Sequence, residues 1–254
     1  MNRAHEQVVD AQFGPRAKAY VESSVHARGP DLEALEAVVS GVRPARALDL
    51  GTGGGHVAYL MARYASSVTA SDLSREMLAA VAGAAKDRGL ANVEVAEASA
   101  ERLTFENEWF DFLGCRYSAH HWRNLEAGLR EAQRVLKCGS KAVFIDAFAP
   151  EAAALDTHLQ AVELLRDTSH VRDYTVGEWA AAVERAGFDV SGVTRRRLRM
   201  EFASWTERMR TPKAHVEAVR ALQTEAAAEV RDHFAIEPDG SFMLDVMTLE
   251  ATAS

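Results

Sequence analysis

Apolar positions along the chain follow two alternating rhythms. Short apolar runs, ARALDLG (Ala45 to Gly51), SVTASD (Ser67 to Asp72) and VEVAEA, read as strands, while HVAYLMARYA and SREMLAAVAGAAKDRG between them repeat apolar residues at helical spacing. Ser74 supplies an N-cap for the second of these helices and Gly89 its stop. Further on, WFDFLGCRYSAHH carries a fourth strand, NLEAGLREAQRVLKCG a helix ending near Gly139, KAVFIDAF a fifth strand, and VGEWAAAVERAGF a helix stopped by Gly187. DVSGVTRRRLRM and GSFMLDVMTLEA are two more strands, bringing the count to seven. The long connection between these two, Glu201 to Pro238, is alanine-rich and reads as helical in KAHVEAVRALQTEAAAEVRDHF. Strands alternating with helices predict a doubly wound, mostly parallel α/β sheet. Ahead of it stands a leader with helical spacing in DLEALEAVVSGV, and segments outside such a sheet often serve as lids.

Composition narrows the partners. A chain of 254 residues suits one large domain, and 48% hydrophobic with 26% charged residues excludes a disordered or fibrous chain. A formal charge of −8 speaks against nucleic acid or anionic lipid as a whole-surface partner. No run reaches the roughly 18 apolar residues of a membrane span, and MNRAHEQVVDAQFG has no secretory pattern, so a cytoplasmic protein is expected. Cys115 and Cys138 form no metal-ligand spacing; they read as small buried or semi-buried apolar residues, and no metal is expected.

The glycine turn carries the chemistry. Gly51, Gly53 and Gly55 close the first strand, where ligands of open α/β sheets bind. The dinucleotide fingerprint needs a third glycine at position 56, which is His56, and Asp49 adds negative charge where a pyrophosphate would have to approach. A dinucleotide-dependent oxidoreductase is therefore disfavoured. Asp72, ending the second strand, is placed to accept hydrogen bonds from both hydroxyls of a ribose. A nucleoside that carries positive charge and no phosphate suits both acids.

The segments LDLGTGGG, SDLSREML, AEASAERLTF, FDFLGCRYSAHHW and EAQRVLKCGSKAVFIDAF, in this order and spacing, resemble the class I S-adenosylmethionine-dependent methyltransferases, and within them the UbiE-like branch (methyltransferase type 11). The resemblance implies a Rossmann-like seven-stranded sheet whose last strand is antiparallel. It also implies methyl transfer from S-adenosylmethionine by in-line displacement, leaving S-adenosylhomocysteine. Residue by residue, it implies that Asp49, Gly51 and Gly53 surround the methionine part, Asp72 holds the ribose, and Leu73 and Met77 flank the adenine. Ser99 and Ala100 would meet the adenine edge, and Arg116 and Tyr117 would lie beside the methionine part. Ser99 stands where many relatives have Asp.

The acceptor is expected to be a small molecule, and a homodimer is compatible with the pattern. Residues 1–42 would form a helical leader, 43–200 the donor-binding core, 201–238 an insertion and 239–254 the final strand. Gln12, Phe13, Arg16 and Tyr20, with Trp205, Arg208, Met209 and His215 of the insertion, would supply lid and acceptor pocket. Candidate catalytic residues are His120, His121 and Asp146. In an extended segment the two histidines would point to opposite faces, with no ligand set nearby. Likewise RRRLR, from Arg195, would divide its charges between two faces and read as a solvated surface. A non-catalytic sensor of the donor or its product is the alternative to an enzyme.

Overall fold

In a computed structural model, which describes residues 4–17, 21 and 29–254, seven strands form one sheet. Strands β1 (Arg46–Leu50), β2 (Ser67–Asp72), β3 (Val93–Glu97), β4 (Phe110–Arg116) and β5 (Leu136–Ala147) are parallel. β7 (Phe242–Ala253) lies antiparallel between β5 and β6 (Phe188–Met200), giving the order β3-β2-β1-β4-β5-β7-β6. The strand order reverses between β1 and β4, so the chain leaves these neighbours in opposite directions and a cleft opens at their carboxyl ends.

The helices are α1 (His5–Phe13), α2 (Pro30–Val42), α3 (His56–Met61), α4 (Arg75–Asp87), α5 (Leu125–Val135), α6 (Ala153–Arg166) and α7 (Val176–Arg185), followed by α8 (Phe202–Arg208), α9 (Lys213–Glu225) and α10 (Ala228–His233). Both faces of the central strands are covered, which is why those strands read as near-continuous apolar runs. Leu48, Leu113 and Phe144 point to the face that holds Trp179, while Ala47, Phe112 and Val143 point to the face that holds Leu35 and Met61. A third cluster joins Trp205, Val219 and Phe234 of the insertion to Leu244 and Val246 of β7 and Leu159 of α6. Among the described residues no helix is long and apolar enough to cross a membrane.

Several boundaries differ from the sequence reading. α5 stops at Val135, and Leu136 already pairs with Phe110, so the LKCG segment belongs to β5. Gly139 (φ +80°) sits in the irregular stretch between that pairing and Phe112–Lys141, a bulge rather than a helix stop. α6 was not foreseen: its EAAALDTHLQ opening carries small and polar residues, and its apolar face is short. The insertion is three helices, because Ala226 and Ala227 are extended and turn the chain so that Val230 and Phe234 are buried. Cys115 is buried as expected, whereas Cys138 is exposed on the bulge.

α5 approaches the sheet edge through Gly128, where a Cβ would meet the Trp122 ring at 2.4 Å and 2.6 Å. Alanine is the better helix former, yet Gly128→Ala should destabilise the protein by about 1–3 kcal/mol through overpacking. Denaturant unfolding would show this as a lower midpoint; an unchanged or raised midpoint would contradict the contact.

Candidate functional site

The glycine turn is held from below by two acids. Asp49, 1% exposed, accepts hydrogen bonds at Oδ2 from Thr52 Oγ1 (2.5 Å) and from the Ala58 amide in the first turn of α3 (2.9 Å). Asp72 accepts from the Gly53 amide at Oδ2 and from the Ser74 amide at Oδ1, each at 3.0 Å. Each Asp72 oxygen keeps acceptor capacity in reserve. The glycines differ in what demands them. At Gly51 (φ +72°) a Cβ would fall 2.0 Å from Ser118 Oγ, and at Gly55 (φ +81°) it would strike the Tyr59 ring. At Gly53 (φ +49°) nothing lies within 4 Å, so its backbone alone borders open space.

That space is a cavity over the carboxyl ends of β1, β2 and β4, and all ten residues expected around the donor line it. His5, Glu6, Val9 and Phe13 of α1 close it from above. The leader was expected over the acceptor; its first helix covers this cavity, and its last residue, Phe13, also lines the adjoining one. α1 has no buried residue, because its apolar side chains face a cavity rather than the core, and its periodicity is correspondingly weak.

A second cavity adjoins the first. Phe13, Arg116, Tyr117 and His121 line both. Its far walls come from the end of α6 (Glu163, Arg166), from Asp173, from Arg196 to Met200 of β6, and from Trp205, Arg208 and Met209. The Arg195 run is therefore not only a solvated face. His215 lies elsewhere, bonded through Nδ1 to the Leu165 carbonyl (2.8 Å), and Gln12 lines neither cavity. Arg16 ties leader to insertion by donating to the Met209 carbonyl (2.7 Å); Tyr20 lies outside the described residues. Arg116 is fixed by a buried ion pair with Asp31 of α2 at 2.6 Å.

The histidines do not lie on opposite faces. After β4 the chain passes through Tyr117 (φ +51°) into a 3-10 turn, Ala119–His121, and the two imidazole centroids are 4.1 Å apart. Asp146 at the end of β5 forces this coil: its Oδ2 accepts from the Ala119 and His120 amides (3.0 and 3.3 Å), and its Oδ1 accepts from His120 Nδ1 (2.6 Å). Candidate ligand atoms of His120, Asp146 and Asp173 lie within 4.8 Å of one another, a grouping that the sequence separation of Asp173 concealed. His121 packs edge-on to Phe13, with ring centroids 5.0 Å apart, and donates through Nδ1 to the Ser169 carbonyl (3.1 Å).

Known proteins fit this architecture. A methyltransferase domain model matches residues 48–144. The chain is 44% identical over 190 residues to the uncharacterized protein YafE of Escherichia coli, covering 75% of this chain and 92% of that one. It is 31% identical to the uncharacterized methyltransferase YcgJ of Bacillus subtilis, covering 89% and 90%. The chain belongs to the class I S-adenosylmethionine-dependent methyltransferases, in their UbiE-like branch. The crystal structure of YcgJ superposes on this methyltransferase with a TM-score of 0.84 at 29% identity, over 88% of this chain and 97% of that one. A demethylmenaquinone methyltransferase of Chlorobaculum tepidum is 32% identical over 118 residues, covering 46% of this chain and 47% of that one.

Electrostatics separates the paired groups of this methyltransferase. Burial alone would lower the His120 imidazole, but the adjoining Asp146 carboxylate outweighs it, and His120 is pushed up to about 9. Burial and the His120 charge both push His121 down, so the two neighbours titrate apart. Burial raises Asp49 to about 7, and the nearby Asp72 adds to the rise. The His120–Asp146 pair should stabilise the fold fully below the ordinary histidine value and lose that contribution as pH rises through about 9. Histidine side-chain NMR should give a His120 midpoint near 9 that falls by about one unit or more in Asp146→Asn. A midpoint unmoved by the substitution would remove Asp146 as the cause.

Proposed function

We propose that the first cavity holds S-adenosylmethionine and the adjoining one a small-molecule acceptor. Asp72 takes the ribose hydroxyls, Leu73 and Met77 flank the adenine, and Ser99 and Ala100 meet its edge. Asp49, Gly51, Gly53, Arg116 and Tyr117 border the methionine part. The donor supplies a methyl group on a sulfonium whose leaving group is a neutral thioether. The residues fit such a molecule: Asp49 is a buried carboxylate without a cationic partner in the hydrogen bonds it makes, and the space beside Gly53 accommodates a ligand against the backbone.

One observation carries the reading. Two cavities meet at a wall of Phe13, Arg116, Tyr117 and His121, as transfer between two bound molecules requires, whereas a sensor needs only the first. The protein's work is then alignment and exclusion of water. Phe13 and the Arg16–Met209 contact close the cover over both cavities, so binding on one side steadies the roof of the other. His120, fixed by its bond to Asp146, lines the acceptor side. The reading assigns no role to nucleic acid or to a metal, and takes the reaction to be cytoplasmic.

Asp72→Ala should weaken S-adenosylmethionine binding about a hundredfold, since two charge-assisted hydrogen bonds at roughly 1.5 kcal/mol each are lost. Gly53→Val should abolish binding, at some cost in stability because a β-branched side chain is disfavoured at its φ of +49°. Calorimetry decides both, and wild-type affinity in either variant would remove that residue from the donor site. A cationic donor favours ionised Asp49, so affinity should fall as pH is lowered through about 7, and Asp49→Asn should flatten the dependence. An affinity that rises on acidification would contradict the assignment.

A further inference from the structure

The second cavity carries an imbalance that its own residues do not resolve. Most of its charged side chains are paired inside the protein: Arg116 with Asp31, Arg166 with Glu163 (3.4 Å), Arg197 with Asp245 (3.2 Å) and Arg199 with Glu237 (2.5 Å). Asp167 accepts from the amide and hydroxyl of Ser169, and Glu201 caps α8 through the Ala203 and Ser204 amides. Among the described residues, two groups of opposite sign, Asp173 and Arg196, lack an ion pair of their own. Asp173 is 2% exposed, and among the described residues its Oδ2 has no hydrogen-bond partner. Arg196 is half-buried and, among the described residues, makes no ion pair; its Nη1 donates to the neutral Thr248 Oγ1 (2.9 Å). An unpartnered buried carboxylate is costly, and natural interiors retain such a group where a ligand completes it.

Asp173 also stands at the end of the cavity where transfer would occur. Its carboxylate lies within 4.8 Å of His120 and Asp146, and the next residue, His121, is part of the wall shared with the donor-side cavity. Between this acidic end and Arg196 the lining is apolar, with Met200, Trp205, Leu244 and Val246. A cavity with a carboxylate beside the reacting position, an apolar middle and an arginine on its β6 wall is complementary to an amphoteric molecule.

Resting on the assignment of this cavity to the acceptor, we propose that the acceptor is a primary or secondary amine that also bears an anionic group, that Asp173 binds the amine to be methylated, and that Arg196 binds the anion. An ammonium ion satisfies Asp173 Oδ2 as a neutral hydroxyl would not, because the single His120 cation is shared between Asp146 and Asp173 and leaves one negative charge in excess. Burial, helped by Glu163, raises the Asp173 carboxyl well above the ordinary carboxylate range, which suits it to take a proton from an ammonium. The balance is simple. One N–H proton passes to the Asp173 carboxylate and frees the nitrogen lone pair. A nitrogen–carbon bond forms to the methyl group as its bond to sulfur breaks, the electron pair remaining on sulfur, and the product leaves as a methylated ammonium.

The test uses the full chain saturated with S-adenosylhomocysteine, titrated calorimetrically with glycine, β-alanine, γ-aminobutyrate and p-aminomethylbenzoate. Each is paired with the matching amine lacking the carboxylate and the matching hydroxy acid lacking the amine. At least one amino acid should bind about tenfold or more tightly than both of its partners. Asp173→Asn should lose about tenfold or more for that amino acid and leave the hydroxy acid unchanged, while Arg196→Gln should lose as much for both acids and leave the amine unchanged. S-adenosylhomocysteine affinity should be the same in both variants. Arg196 is at the surface of β6, so its variant remains informative if Asp173→Asn fails to fold. Preference for hydroxy acids or neutral compounds, no binding across the series, or unaltered selectivity in Arg196→Gln would overturn the proposal. A stoichiometric divalent cation lost from Asp173→Asn would overturn it as well, by showing a metal where the amine is placed. Failure of S-adenosylhomocysteine itself to bind would instead bring down the donor assignment on which the proposal stands.

Discussion

Asp146 accepts four hydrogen bonds: from the amides of Ala119, His120 and Ala147 and from the His120 ring. At 2% exposure its carboxylate is tolerable only with its lone pairs occupied, since a buried ion without partners costs several kcal/mol. Meeting that need coils the chain immediately after β4. The coil brings His121 under Phe13, turns His120 toward the second cavity, and sets Tyr117 and His121 between the two cavities. The division of the cleft into two rooms therefore follows from one acid at the end of β5.

The covering elements depend on the same partition. α1 reaches the coil through His5, whose Nε2 bonds the His121 carbonyl at 2.8 Å, and the residues after α1 reach the insertion through Arg16. Neither contact is part of the sheet's core. Both are polar and lie at the rim of a cleft, the arrangement that lets a lid open without disturbing the packed layers beneath. The insertion is anchored by Trp205, Val219 and Phe234, which share a core with β7, and α2 by Leu32, Leu35 and Val39, so α1, which has no buried residue, is the part better suited to move.

The first cavity was legible because its residues are local. Asp49, the three glycines and Asp72 fall within two strand–turn units, and register between β1 and β2 then brings Asp49 beside Ala70, near Asp72, as the motif order implies. The second cavity was less so, because it is assembled across distance. Asp173 follows a helix whose apolar face is too short to announce itself, and nothing in its neighbourhood predicts that it closes on His120, fifty-three positions earlier in the chain. The histidine pair was misread for a related reason. Alternation of faces holds for a strand, and the strand had already ended at Arg116 because Asp146, remote in sequence, captured the following amides.

The central claim is that transfer occurs across the wall shared by the two cavities. A crystal structure with S-adenosylhomocysteine bound tests it directly. The account predicts the ribose hydroxyls on Asp72 and the thioether sulfur beside Tyr117 and His121, facing the second cavity. A nucleoside bound elsewhere, or one whose sulfur faces away from that wall, would contradict it.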